Sequence, residues 1–237
     1  MKRPYIICHM LTSLDGKTSG DFLASPEIIP ATTAYERINH TFHATAWLSG
    51  RISMEESFTF FKQPMFEIDA PIYPKEDYIA EPHAQIYMVV IDTTGKVAWE
   101  SNTLHYQDRP AAHIVEVLTH QVKDEYVSYL KQRKISYIFA GENQLDLGLA
   151  LEKLSNLFGI KTLIVSGGGR TNGYFLKENY IDEISLIISP VISGDDHAIT
   201  LFHGTNELNN AVSTAYQLIH TEALDAGGIW LRYRHIT

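Results

Sequence analysis

The sequence predicts an α/β domain: a mixed sheet with parallel members, helices on its faces and an antiparallel hairpin at its carboxyl end. Three observations carry that expectation. From His113 to Val165 apolar, β-branched runs alternate with helical stretches in a β-α-β-α-β order. The last of these strands enters Gly167-Gly168-Gly169, after which Arg170-Thr171-Asn172 and the apolar Tyr174-Phe175-Leu176 read as the start of a helix. The final two runs, 215–222 and 228–235, are joined by Ala226-Gly227-Gly228 and read as the hairpin.

With 237 residues and no repeat, low-complexity tract or linker, one domain over 1–237 is expected. An apolar fraction of 45% and a charged fraction of 20% are those of an ordinary globular protein. The net charge of −9 comes without a basic stripe, which argues against a general nucleic-acid or membrane surface. A nucleotide is another matter, since it needs only one or two local cations. The single cysteine, Cys8, sits in an apolar run and reads as a small core residue in a reducing compartment. Met-Lys-Arg-Pro-Tyr lacks the apolar run of a signal peptide, and no stretch approaches the roughly 20 apolar residues of a membrane-spanning helix. A soluble, cytoplasmic protein with a small-molecule substrate, and no nucleic-acid or membrane partner, is the expectation.

Taken in order, residues 5–11 form a buried strand, with Ile7, His9 and Leu11 on one face and Ile6, Cys8 and Met10 on the other. Ser13-Leu14-Asp15-Gly16-Lys17 breaks it with turn chemistry, and a loop runs on to about Pro30. A helix over 31–42 and a short strand over 45–48 follow. In the next stretch Ser53 and Glu56 have the spacing of a capping box. Four prolines between Gln63 and Pro82 predict an irregular excursion. Residues 85–92 are dense in β-branched and aromatic side chains and predict a strong strand. Strands over 113–118 and 135–140 and helices over 122–132 and 145–158 complete the alternation, and 183–189 is a further strand.

The glycine turn carries the clearest chemistry. Glycines let a ligand approach bare main chain, and the N–H groups of a helix start suit a phosphate or pyrophosphate. The alternative is a strand-to-helix turn with no ligand. The spacing is neither GxGxxG, since Asn172 stands at the last glycine, nor a Walker loop. A second candidate is Gly50-Arg51-Ile52-Ser53 at the end of a strand, where Arg51 would clamp a phosphate and Ser53 add a donor, or where both are simply solvated. Asp92-Thr93-Thr94-Gly95 is a third, either a turn or a cofactor wall. The 11 histidines show no HExxH spacing and no cysteine pair, so no metal site is expected. No GxSxG marks a serine hydrolase.

Read in order, several segments resemble the reductase domain of riboflavin biosynthesis, the RibD C-terminal type, standing alone without its zinc-binding deaminase half. They are Arg3-Pro4-Tyr5 with Ser13 to Lys17, Trp47 to Arg51, Val90 to Thr93, Leu163 to Gly169, Tyr180 to Ile184, and Ile188 to Gly194. That family shares the dihydrofolate reductase fold. Gly50 to Ser53 with Glu56-Ser57, and Gly167 to Arg170 with Tyr174, are similar to the cofactor segments of dihydrofolate reductase itself.

The resemblance implies a three-layer α/β/α architecture with a mixed, mainly parallel central sheet, and NADPH as cofactor. It implies that Gly167, Gly168, Gly169, Arg170 and Thr171 cradle the pyrophosphate. Ser53, Thr93 and the backbone at Leu11 would line the cofactor, and Arg51 would meet the 2′-phosphate. Ser13, Asp15, Lys17 and Ser166 would contact substrate, with His9 and Asp15 as catalytic candidates and His9 the proton donor or substrate orienter. A homodimer is implied as well. The family's first-strand lysine is replaced by His9 and its glutamate before the glycines by Ser166, while the arginines that hold its ribose phosphate have no clear counterparts. Cofactor residues are thus kept and substrate residues changed. The activity expected is reduction of 5-amino-6-(5-phosphoribosylamino)uracil. The alternatives are another small carbonyl, imine or pterin-like substrate, or a non-catalytic nucleotide-binding protein.

Overall fold

A computed structural model describes residues 2–204 and 213–236. In chain order the elements are β1 (Tyr5–Thr12), α1 (Ile29–Thr41), β2 (Ala46–Gly50), α2 (Arg51–Met54), β3 (Tyr87–Ile91), β4 (Thr103–Leu104), β5 (Ala112–Leu118), α3 (Asp124–Gln132), β6 (Ser136–Phe139), α4 (Leu147–Phe158), β7 (Thr162–Val165), α5 (Gly169–Lys177), β8 (Glu183–Ile188), β9 (Tyr216–Ala223) and β10 (Ile229–His235). This is the expected mixed α/β class, mainly parallel with antiparallel strands at the carboxyl end. By internal contacts the residues fall into two compact units. Among the described residues one holds 2–4 with Thr45–Leu163, the other Tyr5–Ala44 with those from Ile164 on.

In the first unit β2 pairs with β3, β3 with β5 and β5 with β6, all parallel. The two-residue β4, too short to leave a periodic signal, lies antiparallel on β5. Gly50 stands beside Ile91 and Ile91 beside Val117, so the carboxyl ends of β2, β3 and β5 finish level. Every residue of β5 is buried, as a strand covered on both faces requires. Tyr126, Leu130, Ile138 and Leu151 are fully buried in the core of this unit. Asp146 caps α4 by accepting from the Leu149 N–H at 2.9 Å, and Gly159 ends the helix in the left-handed region.

The expected capping box does not form. β2 runs on to Gly50, and α2 starts at once with Gly50 as its cap and no capping side chain. Ser53 therefore lies inside the first helical turn, which passes into a π turn over Glu55–Thr59.

In the second unit β1 is parallel to β8, which pairs antiparallel with β10, and β10 with β9. The β9–β10 hairpin turns through Asp225–Gly227 and carries a bulge between Arg232 and Tyr233. Helix α1 starts at Ile29, earlier than its apolar spacing suggests, because Pro30 is accepted in a first helical turn. It buries Ala31, Ala34 and Ile38 against Phe22, Ile187 and Trp230. The expected loop before it is tightened by two 3₁₀ turns, Asp21–Ala24 and Pro26–Ile28. Cys8 is buried, and burial pushes its thiol up to about 12. Among the described residues no helix is long and apolar enough to cross a membrane.

Candidate functional site

In the first unit, the level strand ends set Arg51, Asp92 and Thr119 at adjacent carboxyl termini, where ligands of open α/β sheets bind. Arg51 Nη1 donates to Glu55 Oε2, four residues along, and its Nε lies 4.0 Å from Asp92 Oδ1. Asp92 is buried and closes the following turn: Oδ1 accepts from Gly95 N–H at 3.1 Å and Oδ2 from Val97 N–H at 2.8 Å. Burial holds its carboxyl above the ordinary range, against the pull of those N–H groups and of Arg51. Of the two readings of Asp92 to Gly95, the turn is therefore real. Thr93 continues it, its carbonyl accepting the Thr119 hydroxyl at 2.8 Å. Ser53 is half-buried in the helix. Beneath the Asp92 turn, Glu116 is fully buried and accepts from Trp99 Nε1, and burial, then the charge of Asp92, pushes its carboxyl well up.

In the second unit, Ser166 ends the run from β7, and Gly167 follows at φ 102°, a conformation that favours glycine. Gly168 caps α5, whose first i→i−4 bond runs from Asn172 N–H to the Gly168 carbonyl at 3.1 Å. The N–H groups of Gly169, Arg170 and Thr171 therefore have no intrahelical acceptor. This is the strand-to-helix glycine turn at which the sequence reading places a phosphate. Gly169 has a second reason to be glycine. A Cβ there would stand 2.0 Å from the Thr200 carbonyl oxygen, because residues 199–203 cross this helix. The buried Asn172 donates to the Leu201 carbonyl at 3.0 Å and leaves Oδ1 without a partner among the described residues.

Ser13, Asp15 and Lys17 are brought together, chiefly for one another. The Ser13 hydroxyl donates to Asp15 at 2.6 Å and accepts the Lys17 N–H at 2.9 Å. Asp15 also accepts from Ser193 and Gly194 N–H, and the Lys17 ammonium donates to the Ala198 carbonyl at 3.3 Å. The hydrogen bond from Ser13, then those from the backbone, hold the Asp15 carboxyl down at about 2. A group so acidic is ionised at neutrality. Its folded value lies below its unfolded one, so the stability it adds is present above about pH 4 and lost as pH falls towards 2. Asp15→Asn should therefore be less stable than wild type at pH 6 in urea unfolding, with the difference shrinking as pH falls through 2.

His9 is fully buried and both its ring nitrogens are spent within the protein. Trp230 Nε1 can only donate, and it does so to Ser185 Oγ at 2.9 Å. Ser185 stands beside His9 in the β1–β8 register, its Oγ 2.9 Å from Nδ1. Nε2 lies 3.0 Å from the Tyr35 carbonyl, which can only accept. These partners order a chain from Trp230 through Ser185 and His9 to Tyr35, with the hydrogen of His9 on Nε2. The imidazole stacks on the Tyr35 ring, centroids 4.2 Å apart. These contacts tie α1 to the sheet through His9, the residue the sequence suggests as proton donor or substrate orienter. Leu11 is half-buried on the same strand.

Sequence reasoning missed Glu55 and Ser185. The i,i+4 spacing from Arg51 would have found Glu55. Nothing local announces Ser185, since strand register places it. Among the described residues no three His, Cys, Asp or Glu side chains gather as a metal site would.

Residues 4–229 match the family described as RibD C-terminal domain. A 2,5-diamino-6-ribosylamino-4(3H)-pyrimidinone 5′-phosphate reductase of Methanothermobacter thermautotrophicus is 26% identical over 224 residues, 89% of each chain. The protein of the same name from Aquifex aeolicus is 30% identical over 112 residues, 47% of this chain and 48% of that one, so the match spans about half of that relative. RibD of Acinetobacter baumannii superposes with a TM-score of 0.65 at 22% identity, over 99% of this chain and 58% of that one.

Proposed function

The chain belongs to the RibD C-terminal domain family, and on that footing we propose that it is an NADPH-dependent reductase of the riboflavin-pathway type. Its substrate would be a pyrimidine carrying a phosphoribosylamino group, reduced at the ribose to a ribitylamino group. The observation that carries the cofactor reading is the start of α5, where three N–H groups have no intrahelical acceptor behind a left-handed Gly167. NADPH, when bound, supplies the hydride. Gly167 to Thr171 would hold its pyrophosphate, and Arg51, whose Nη2 has no partner among the described residues, its 2′-phosphate. Leu11, Ser53 and Thr93 would line it.

A second reading follows from the substrate side. His9 is tied into the sheet where the family resemblance has a lysine, and Ser166 offers no carboxylate. A small carbonyl, imine or pterin-like compound lacking the ribose phosphate fits those groups equally well. The same proposal includes a cytoplasmic homodimer joined along β9, an edge that exposes Leu218 and Ile219.

Calorimetric titration with NADPH and NADH tests the cofactor reading first. Micromolar binding of NADPH is expected; if neither dinucleotide binds, the reductase reading falls. Arg51→Ala should weaken NADPH by about tenfold to hundredfold, the 1.5–3 kcal/mol of a charged hydrogen bond, and leave NADH nearly unchanged. Turnover of the phosphoribosylamino pyrimidine, assayed beside a panel of small carbonyls and imines, then decides between the two substrate readings.

A further inference from the structure

One guanidinium at the carboxyl end of β2 serves two acids, and the acids are not equivalent. Asp92 gives its oxygens to Gly95, Lys96 and Val97 N–H groups, so it belongs to the turn. Glu55 gives its carboxylate to Arg51 alone among the described residues. Its side chain is only 4% exposed, against 29% for Arg51, so the acid lies behind and the cation faces out. The cluster holds one positive charge and two carboxylates. An anion that lands on Arg51 is separated from Glu55 only by the guanidinium, well inside the ~10 Å screening length of 0.1 M salt.

We infer that Glu55 is a specificity-determining residue that limits how strongly this chain prefers NADPH over NADH. The inference rests on the cofactor reading above. Arg51 supplies the attraction for a 2′-phosphate, and Glu55 offsets part of it by repulsion. NADH carries hydroxyls at that position and meets little of either effect. The remaining N–H groups of Arg51 stay available to both dinucleotides.

The test is a pair of calorimetric titrations, NADPH and NADH, on wild type and Glu55→Gln. Glutamine keeps an acceptor for Arg51 Nη1 and removes only the charge. NADPH should tighten by about tenfold, the scale of one partly screened unit repulsion, with NADH changed by less than about twofold. The gain should shrink as salt is raised. An unchanged ratio, or weaker NADPH binding, would mean that Glu55 merely holds Arg51 in place, and would overturn the inference while leaving the cofactor reading standing. No binding of either dinucleotide to wild type would remove both. If Glu55→Gln does not fold, Glu55→Met carries the same expectation at similar volume. Failure of both to fold also overturns it, since the carboxylate would then be a requirement of the fold.

Discussion

His9→Ala should lower the unfolding free energy by about 3–5 kcal/mol, as losses of large buried side chains do. Three costs combine. The stacked ring against Tyr35 disappears and leaves a cavity in a fully buried place. The Tyr35 carbonyl loses its donor, and Ser185 loses the acceptor for its hydroxyl hydrogen. Urea unfolding measures the total. A proton-donor role predicts something different: near-normal stability, with kcat/KM losing the limb of its pH profile that a titrating imidazole supplies. His9→Gln separates the two further. A glutamine that reaches the Tyr35 carbonyl should recover part of the stability, while no glutamine can restore a proton donor. A stable His9→Ala protein with a flattened pH profile would return His9 to the reacting atoms.

What the sequence announced, and what it withheld, follows from the range of each interaction. The strand at residues 87–91, the hairpin and the helix at Gly169 were legible because their signals are local: β-branched runs, turn residues, apolar spacing. The family resemblance was legible for the same reason, since each segment that carries it is a short stretch of main chain. The groups around His9 were not legible. Ser185 is 176 residues away and reaches Nδ1 only through the β1–β8 register, and Tyr35 contributes a carbonyl, which leaves no trace in residue identity. The partners of Asp15 were not legible either, because a polar turn looks the same whether its carboxylate faces a ligand or the N–H groups of Ser193 and Gly194. Glu55 was legible by spacing yet lost to its neighbour Glu56, which matched a capping pattern that the early start of α2 prevents.

Gly169→Ala separates two reasons for one glycine. In the first turn of a helix alanine should be favoured over glycine by about 1 kcal/mol. Here the added methyl would sit 2.0 Å from the Thr200 carbonyl oxygen and 2.6 Å from Ile199 Cγ2. That segment has little freedom to retreat. His203 N–H donates to the Gly169 carbonyl, Leu201 N–H to Gly16, and Thr18 N–H to Ile199. The expected result is a net loss of about 3 kcal/mol, the upper end of overpacking costs, in urea unfolding. Gly159→Ala is the control. Unlike Gly169 it has a left-handed φ of 67°, but open space surrounds it, so only backbone strain of about 1 kcal/mol should register. If Gly169→Ala proves as stable as wild type yet no longer binds NADPH, the ligand requires this glycine and the crossing segment yields. If stability falls as expected, one residue of the Gly167 to Gly169 run is fixed by the protein's own chain. The part of that run open to a phosphate is then the left-handed Gly167 and the N–H groups beyond it, whichever side chain Gly169 is denied.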